Sequence, residues 1–314
     1  MSTVAFYSHD AYLDHLTGAA HPERPERLVG MLDVLQQSDV WDRLDHRTPS
    51  PALPGQIALA HSPDYVSYVE EYCSRGGGLL DGTETVVSKN SYTAAMLAAG
   101  AATDAIDAVM TGEVDRAFCA VRPPGHHAIV DRAMGFCVFN NVAVAARHCQ
   151  KQHGVERVAI LDWDYHHGNG TQFIFWADPS VWYGSLHASP AYPHTGLASE
   201  RGGGEARRSV VNRPLPTGTG HDEYIESFDS KILPSLETFA PELILISAGF
   251  DSHSDDPICN MRLTEQTFAM MTESVVELAD LVCHGRIVSV LEGGYHPQAL
   301  GRSVECHLKT MLDR

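Results

Sequence analysis

None of the seven cysteines in this 314-residue chain lies in a Cys-x-x-Cys pair; they stand scattered at 73, 119, 137, 149, 259, 283 and 306. An odd, dispersed set points to a reducing cytoplasm with buried free thiols. Basic residues are also scarce, 22 Lys and Arg against 40 Asp and Glu, for a formal charge of -18. Such a surface repels duplex nucleic acid overall, so no direct nucleic acid binding is expected, whereas a cationic substrate or basic peptide is drawn toward it. The same acidity also serves plain solubility. Apolar runs stop well short of the roughly 18 residues a membrane span needs, so no membrane association is expected. The N-terminus Met1-Ser2-Thr3-Val4 has no basic stretch followed by an apolar one, against a secretory signal. Neither a Pro-, Gly- or Ser-rich linker nor an internal repeat is found, so residues 1–314 are expected to form one domain, and a homo-oligomer is left open.

What is present is a 44% hydrophobic chain with short apolar runs at Ala117–Ala120, Val158–Leu161, Val181–Tyr183, Leu243–Ile246 and Ile287–Leu291. These read as strands buried on both faces. Between them, Ser91–Met110, Asn140–Gln152, Asp222–Phe239 and Thr264–Cys283 show the apolar spacing of helices. Strands alternating with helices predict an α/β fold, a parallel sheet flanked by helices on both faces. Ligands then bind at the carboxyl ends of the strands. The polar clusters follow the apolar runs: Arg122-Pro123-Pro124-Gly125-His126-His127, Asp162-Trp163-Asp164-Tyr165-His166-His167, Ser185-Leu186-His187, Ala248-Gly249-Phe250-Asp251 and Glu292-Gly293-Gly294-Tyr295.

In an extended chain alternate side chains share a face, so Asp164 and His166 point the same way with Asp162 behind them. Asp251 supplies a third donor, and two carboxylates with one imidazole leave a position open, as catalytic metal sites do. Zinc suits this set, although oxygen and nitrogen donors separate it poorly from Fe²⁺ or Co²⁺. Two aspartates formally cancel the ion's charge, so its water is acidified less and a separate base is needed. His126 and His127, in a stiff Pro-Pro-Gly turn, are the candidates. Asp162 is the natural partner of His126 and Asn169 that of His127; a carboxylate raises basicity more than an amide, leaving His127 as the better general base. Tyr295, after two glycines, is placed to donate to an oxyanion. Gly135-Phe136 and Tyr192 are candidate walls of a narrow slot, though aromatics are more often core. Cys137 is read as a small buried hydrophobe and His167 as structural. The outcome is hydrolysis of a carbonyl compound by metal-activated water, with no covalent intermediate and no serine-hydrolase elbow.

With these residues assembled, the chain closely resembles the zinc-dependent histone deacetylase family, in the arginase-deacetylase fold. The resemblance runs from His21-Pro22-Glu23-Arg24-Pro25-Glu26-Arg27 to Glu292-Gly293-Gly294-Tyr295 and includes Gly135-Phe136-Cys137-Val138-Phe139-Asn140-Asn141. Asn169 and the Asp256-Pro257 pair are similar to the second class and its bacterial relatives, the histone deacetylase-like amidohydrolases and acetylpolyamine amidohydrolases. The resemblance implies Asp164, His166 and Asp251 as zinc ligands, His126 and His127 as the tandem histidines, Tyr295 as the transition-state tyrosine, and Phe136 with Tyr192 as walls of an acyl-lysine tunnel. It further implies a structural potassium ion at Asp162, Asp164, His166, Ser185 and Leu186, partly through main-chain oxygens. Tyr192 replaces the more usual phenylalanine. Glu84 aligns approximately with a rim aspartate that holds substrate backbone, and is equally suited to an ammonium group or to solvent. Ile258 stands where one group of eukaryotic polyamine deacetylases resembles a glutamate gatekeeper, and the long insertion before Ser91 found in bacterial acetylpolyamine enzymes is missing. The implied activity is removal of acetyl or other acyl groups from lysine side chains or small acetylated amines, with an acetylpolyamine amidohydrolase as the alternative and a non-hydrolytic acyl-amine binding module less favoured.

Overall fold

Apolar residues with no polar face cannot sit at a water boundary, so the short runs fold into the middle of a sheet. A computed structural model describes residues 2–314. Its strands are β1 (Val4–Tyr7), β2 (Asp45–Arg47), β3 (Gly77–Leu79), β4 (Val86–Ser88), β5 (Arg116–Cys119), β6 (Val158–Asp162), β7 (Val181–Ala188), β8 (Val210–Leu215), β9 (Leu243–Ala248) and β10 (Ile287–Leu291). Eight of them form one sheet in the order β2-β1-β5-β10-β9-β6-β7-β8, and β3 pairs with β4 in a separate hairpin. Every pairing in the large sheet is parallel, and β1, β5, β6, β7, β9 and β10 are buried along their whole length. The antiparallel hairpin was not anticipated.

Helix ends follow their local chemistry. The helix Ser91–Thr111 stops at Gly112, whose φ of 75° is the left-handed cap that glycine adopts without strain. Its 18-residue core is long and apolar enough to cross a membrane by composition, yet 78% of that window is buried inside the protein. Asn140 caps Asn141–His153 by accepting the Ala143 N–H at 3.0 Å. The continuous helix expected over Asp222–Phe239 is instead His221–Ser227, a π-helical turn Phe228–Ile232, and Leu233–Phe239. Pro234 explains the break: it has no N–H to continue the ladder, and Leu233 donates to Phe228, five residues back.

Strand order decides where the ligand site lies. The chain lays down β1, β2 and β5 on one side, crosses to β6, β7 and β8, and fills the gap last with β9 and β10. The carboxyl ends of β5, β10, β9 and β6 are therefore adjacent at the point where the order reverses, where open α/β sheets form their crevice. Residues after these four strands supply the candidate site. Ser185–His187 differ from expectation: β7 continues to Ala188, so they lie within the strand and not beyond its end.

Candidate active site

The residues after β6 do not converge by strand alternation as expected. The strand ends at Asp162, and 164–166 form a bend. Asp164 closes that bend itself, its Oδ1 accepting the His166 N–H at 2.8 Å. The bend turns both side chains toward Asp251 from β9. His166 Nδ1 lies 3.1 Å from Asp164 Oδ1 and 3.1 Å from Asp251 Oδ2. Each carboxylate is anchored through its other oxygen, Asp164 Oδ2 by the Gly293 N–H and Asp251 Oδ1 by the Tyr165 N–H, both at 2.8 Å.

Donor atoms bound to one ion at about 2.0–2.2 Å stand roughly 3 Å or more apart, as His166 Nδ1 does from each carboxylate oxygen. Asp251 Oδ2 is buried and accepts no well-aligned hydrogen bond among the described residues, with only His166 Nδ1 close by, a costly state that a cation relieves. Burial and the neighbouring Asp164 push the Asp251 carboxyl up to about 7, while His126 and His166, against burial, hold Asp164 well below the ordinary range. The set has an excess of negative charge turned on one point, and it fits a divalent ion. Cys259 Sγ also lies within 4.8 Å of the His166 and Asp251 donor atoms, and without an ion burial, then the Asp251 carboxylate, raises its thiol pKa. Gly293 has a packing reason to be glycine, because a Cβ there would strike both carboxylates.

Above these donors stand the two histidines, buried and with ring centroids 4.0 Å apart. His126 Nδ1 pairs with Asp162 Oδ2 at 3.0 Å and His127 Nδ1 with Asn169 Oδ1 at 2.7 Å. Burial disfavours the charged form of His126, but Asp162, Asp164 and Glu292 outweigh it and raise the imidazole to about 10. Burial and the two neighbouring imidazoles His126 and His166 hold His127 well below its ordinary value. The charged form is thus favoured on His126 and disfavoured on His127. Both hang from a backbone that Glu292 holds: its Oε2 accepts the N–H of Gly125 at 2.7 Å and of His126 at 3.1 Å.

Tyr295 enters after β10 from a segment gripped on two sides. Asp256 Oδ2 accepts the Tyr295 N–H at 2.8 Å. Arg27, fully buried, donates to the carbonyls of Gly294 (2.6 Å) and Glu292 (2.5 Å), with its guanidinium 5.0 Å over the Tyr295 ring. Glu23 joins Arg27 (3.0 Å) to Arg122 (2.5 Å), tying the N-terminal helix to the histidine turn. Burial, then the Asp251 charge, raises the Tyr295 phenol well above its ordinary pKa, so it remains a donor.

The remaining candidates ring the approach. Gly135 and Phe136 take left-handed φ values of 56° and 70°, and a Cβ at Gly135 would strike His127. Phe136 sits edge-on to Tyr295 at 6.2 Å, and Tyr192 edge-on to His127 at 5.2 Å, so the two aromatics flank opposite groups of the site. Glu84 and Tyr192 share a hollow of about 370 Å³ with Asp81, Arg132 and Met134. The Tyr192 hydroxyl is buried, and burial, then the nearby Glu84 carboxylate, raises its pKa. Ile258 is exposed on the loop that Asp256 holds. Asp162, Ser185 and Leu186 are fully buried, and Tyr183 adds its hydroxyl to Asp162 at 3.0 Å. His167 points elsewhere, to Thr195 and Gln172. Cys137 is buried, its thiol raised by burial and Glu292.

Glu292, Arg27, Glu23 and Arg122 carry no assigned role in the sequence reading, and Asp256 stands there only as a mark of the second class. Their motifs were visible, but each acts through partners a hundred or more residues away or through backbone groups that spacing does not reveal.

Residues 21–311 match the family model described as the histone deacetylase domain. The chain is 42% identical over 282 residues to the histone deacetylase-like amidohydrolase of Pseudomonas aeruginosa, covering 88% of this chain and 73% of that one. It is 40% identical over 304 residues to the polyamine deacetylase HDAC10 of Homo sapiens, covering 92% of this chain and 44% of the relative. Among solved structures, the HD domain of HDA15 superimposes with a TM-score of 0.93 at 35% identity, covering 100% of this chain and 89% of that one.

Proposed function

The chain belongs to the histone deacetylase family of amidohydrolases, and on that footing we propose that it is a zinc-dependent deacetylase that removes acetyl groups from lysine side chains or small acetylated amines. The observation that carries the metal assignment is the convergence of Asp164 Oδ1 and the buried Asp251 Oδ2 on His166 Nδ1, beside the two histidines. Zinc at these donors supplies Lewis acidity to the substrate carbonyl and to the attacking water.

The chain's own groups divide the remaining work. His127, neutral and oriented by Asn169, takes the proton from the attacking water through Nε2 and later passes it to the amine leaving group. His126, held charged by Asp162, keeps a positive charge beside the developing oxyanion. Tyr295 donates its phenolic proton in a hydrogen bond to that oxyanion. Phe136 and Tyr192 grip the apolar methylene stem of the substrate, and Glu84 stands at the mouth for an amide N–H or an ammonium group. A potassium ion at Asp162, Ser185 and Leu186, with main-chain oxygens of 164 and 166, belongs to the same proposal, as do a single catalytic domain and a cytoplasmic location.

Acetylpolyamine hydrolysis is the second reading. A relative is named a polyamine deacetylase, and the acidic hollow with Glu84 favours a cationic chain. Steady-state kcat/KM on an acetyl-lysine peptide panel and on acetylputrescine and acetylspermidine, side by side, decides between them. A preference of 10-fold or more for the peptides supports the first reading, and the reverse supports the second. Stripping the protein with a chelator should abolish turnover and zinc should restore it; full activity in the stripped protein overturns the metal assignment.

A further inference from the structure

A second set of metal-type donors lies far from the crevice. Asp107, on the helix Ser91–Thr111, faces His148 and His153 on the helix Asn141–His153. Both imidazoles reach the same carboxylate oxygen: His148 Nε2 lies 2.8 Å and His153 Nε2 2.7 Å from Asp107 Oδ1. One donor atom from each residue falls within 4.8 Å of the other two.

We propose that Asp107, His148 and His153 form a second transition-metal site, one that clamps these two helices and takes Zn²⁺ or another divalent first-row ion through one oxygen and two nitrogens. Bonds of about 2.0–2.1 Å to a common ion require donors roughly 3 Å or more apart, so side-chain shifts of a few tenths of an ångström open the present contacts enough. The positions allow it. The His148 side chain is 5% exposed and fixed, His153 is 19% exposed, and Asp107 is 49% exposed, leaving the outer coordination positions to water. A hollow of about 390 Å³ borders Asp107, with Asp104 and the Arg47–Glu113 ion pair also on its wall, and gives an ion open access to the carboxylate. Imidazole donors suit zinc, nickel and copper better than magnesium or calcium.

The site is independent of the catalytic one. Asn140, at the start of the helix, contacts Ala128 O beside the histidine turn at 3.2 Å, whereas His148 and His153 sit in the last two turns. Thirteen residues of helix place the two ends roughly 18–20 Å apart. The outer support also has a handle. Gln56 Nε2 stands 3.4 Å from His148 Nδ1, a long contact. Metal on Nε2 leaves the proton on Nδ1, and a carboxylate at position 56 would accept it.

The test is metal content of the full chain equilibrated in micromolar free Zn²⁺ and then freed of unbound ion. Two zinc ions per chain are expected, falling to one in Asp107→Asn and in His153→Gln with acetate release unchanged. Asp251→Asn distinguishes the sites, since it removes the catalytic equivalent and leaves this one. Gln56→Glu should tighten the second site by about 10-fold in chelator competition. A single equivalent in the wild type that survives in Asp107→Asn, or two equivalents persisting in both Asp107→Asn and His153→Gln, overturns the proposal.

Discussion

Two adjacent imidazoles are pushed in opposite directions: against burial, Asp162, Asp164 and Glu292 favour the charged form of His126, whereas burial with His126 and His166 disfavours it in His127, whose Nδ1 meets only the amide of Asn169. Asn169→Asp tests this. A carboxylate at 2.7 Å favours the cation, so His127 should titrate one to three units higher. Because the base must be neutral, the acid limb of the kcat/KM profile should move to higher pH by a similar amount; an unmoved limb assigns the base elsewhere. Arg27 is a positioning residue that acts on Tyr295 through two carbonyls and its ring. Arg27→Lys keeps the charge but loses the fork, and should lower kcat by roughly 10-fold with a smaller change in KM. A wild-type kcat would show that Tyr295 is placed without it. Residue pairs differ in how far the sequence discloses them. The His126 and His127 partners were legible because four side chains in two motifs allow few arrangements. Arg27 was not, because its bond to Gly294 spans 267 residues and ends on a main-chain oxygen.

At the scale of elements, the four strands that carry the site were legible from their apolar runs, since a doubly buried strand has no polar face to disguise it. The edge was not. Asp45–Arg47 is three polar residues, recognisable as a strand only through its pairing with Val4–Tyr7. The bend at 164–166 was hidden too, because it depends on Asp164 bonding its own backbone. The loop after β10 brings a glycine so close to the donors that any side chain intrudes. Gly293→Ala should therefore weaken zinc binding by 10-fold or more, read by chelator competition, while circular dichroism stays native. Unchanged affinity would mean the two carboxylates are freer to move than their anchoring suggests.

For the whole molecule, three histidines buried apart from the catalytic pair each oppose folding in acid. Burial holds His61 down to about 4, His187 to about 4 and His307 to about 3. Each binds its proton more readily unfolded than folded, so the stability it contributes is complete above about pH 6.5 and is lost as pH drops below it. By pH 5 each costs on the order of 2 kcal/mol. Denaturant midpoints measured from pH 7.5 to 5 in wild type and His307→Gln should differ in slope by about one proton at the acid end, the variant losing less stability on acidification; identical slopes contradict a buried neutral His307 ring. The fold class was readable because strand and helix periods alternate along the chain, whereas the insertion of β9 and β10 into the sheet centre was not, since nothing local records strand order.

The most direct test of the site is acetate release by the zinc-loaded protein from an acetyl-lysine peptide and from acetylputrescine, run beside His127→Ala and Tyr295→Phe. Release from at least one substrate is predicted, slowed by roughly 10² or more in each variant as lost proton transfer and oxyanion donation require. No release from either substrate, or either variant working at the wild-type rate, would contradict the assignment.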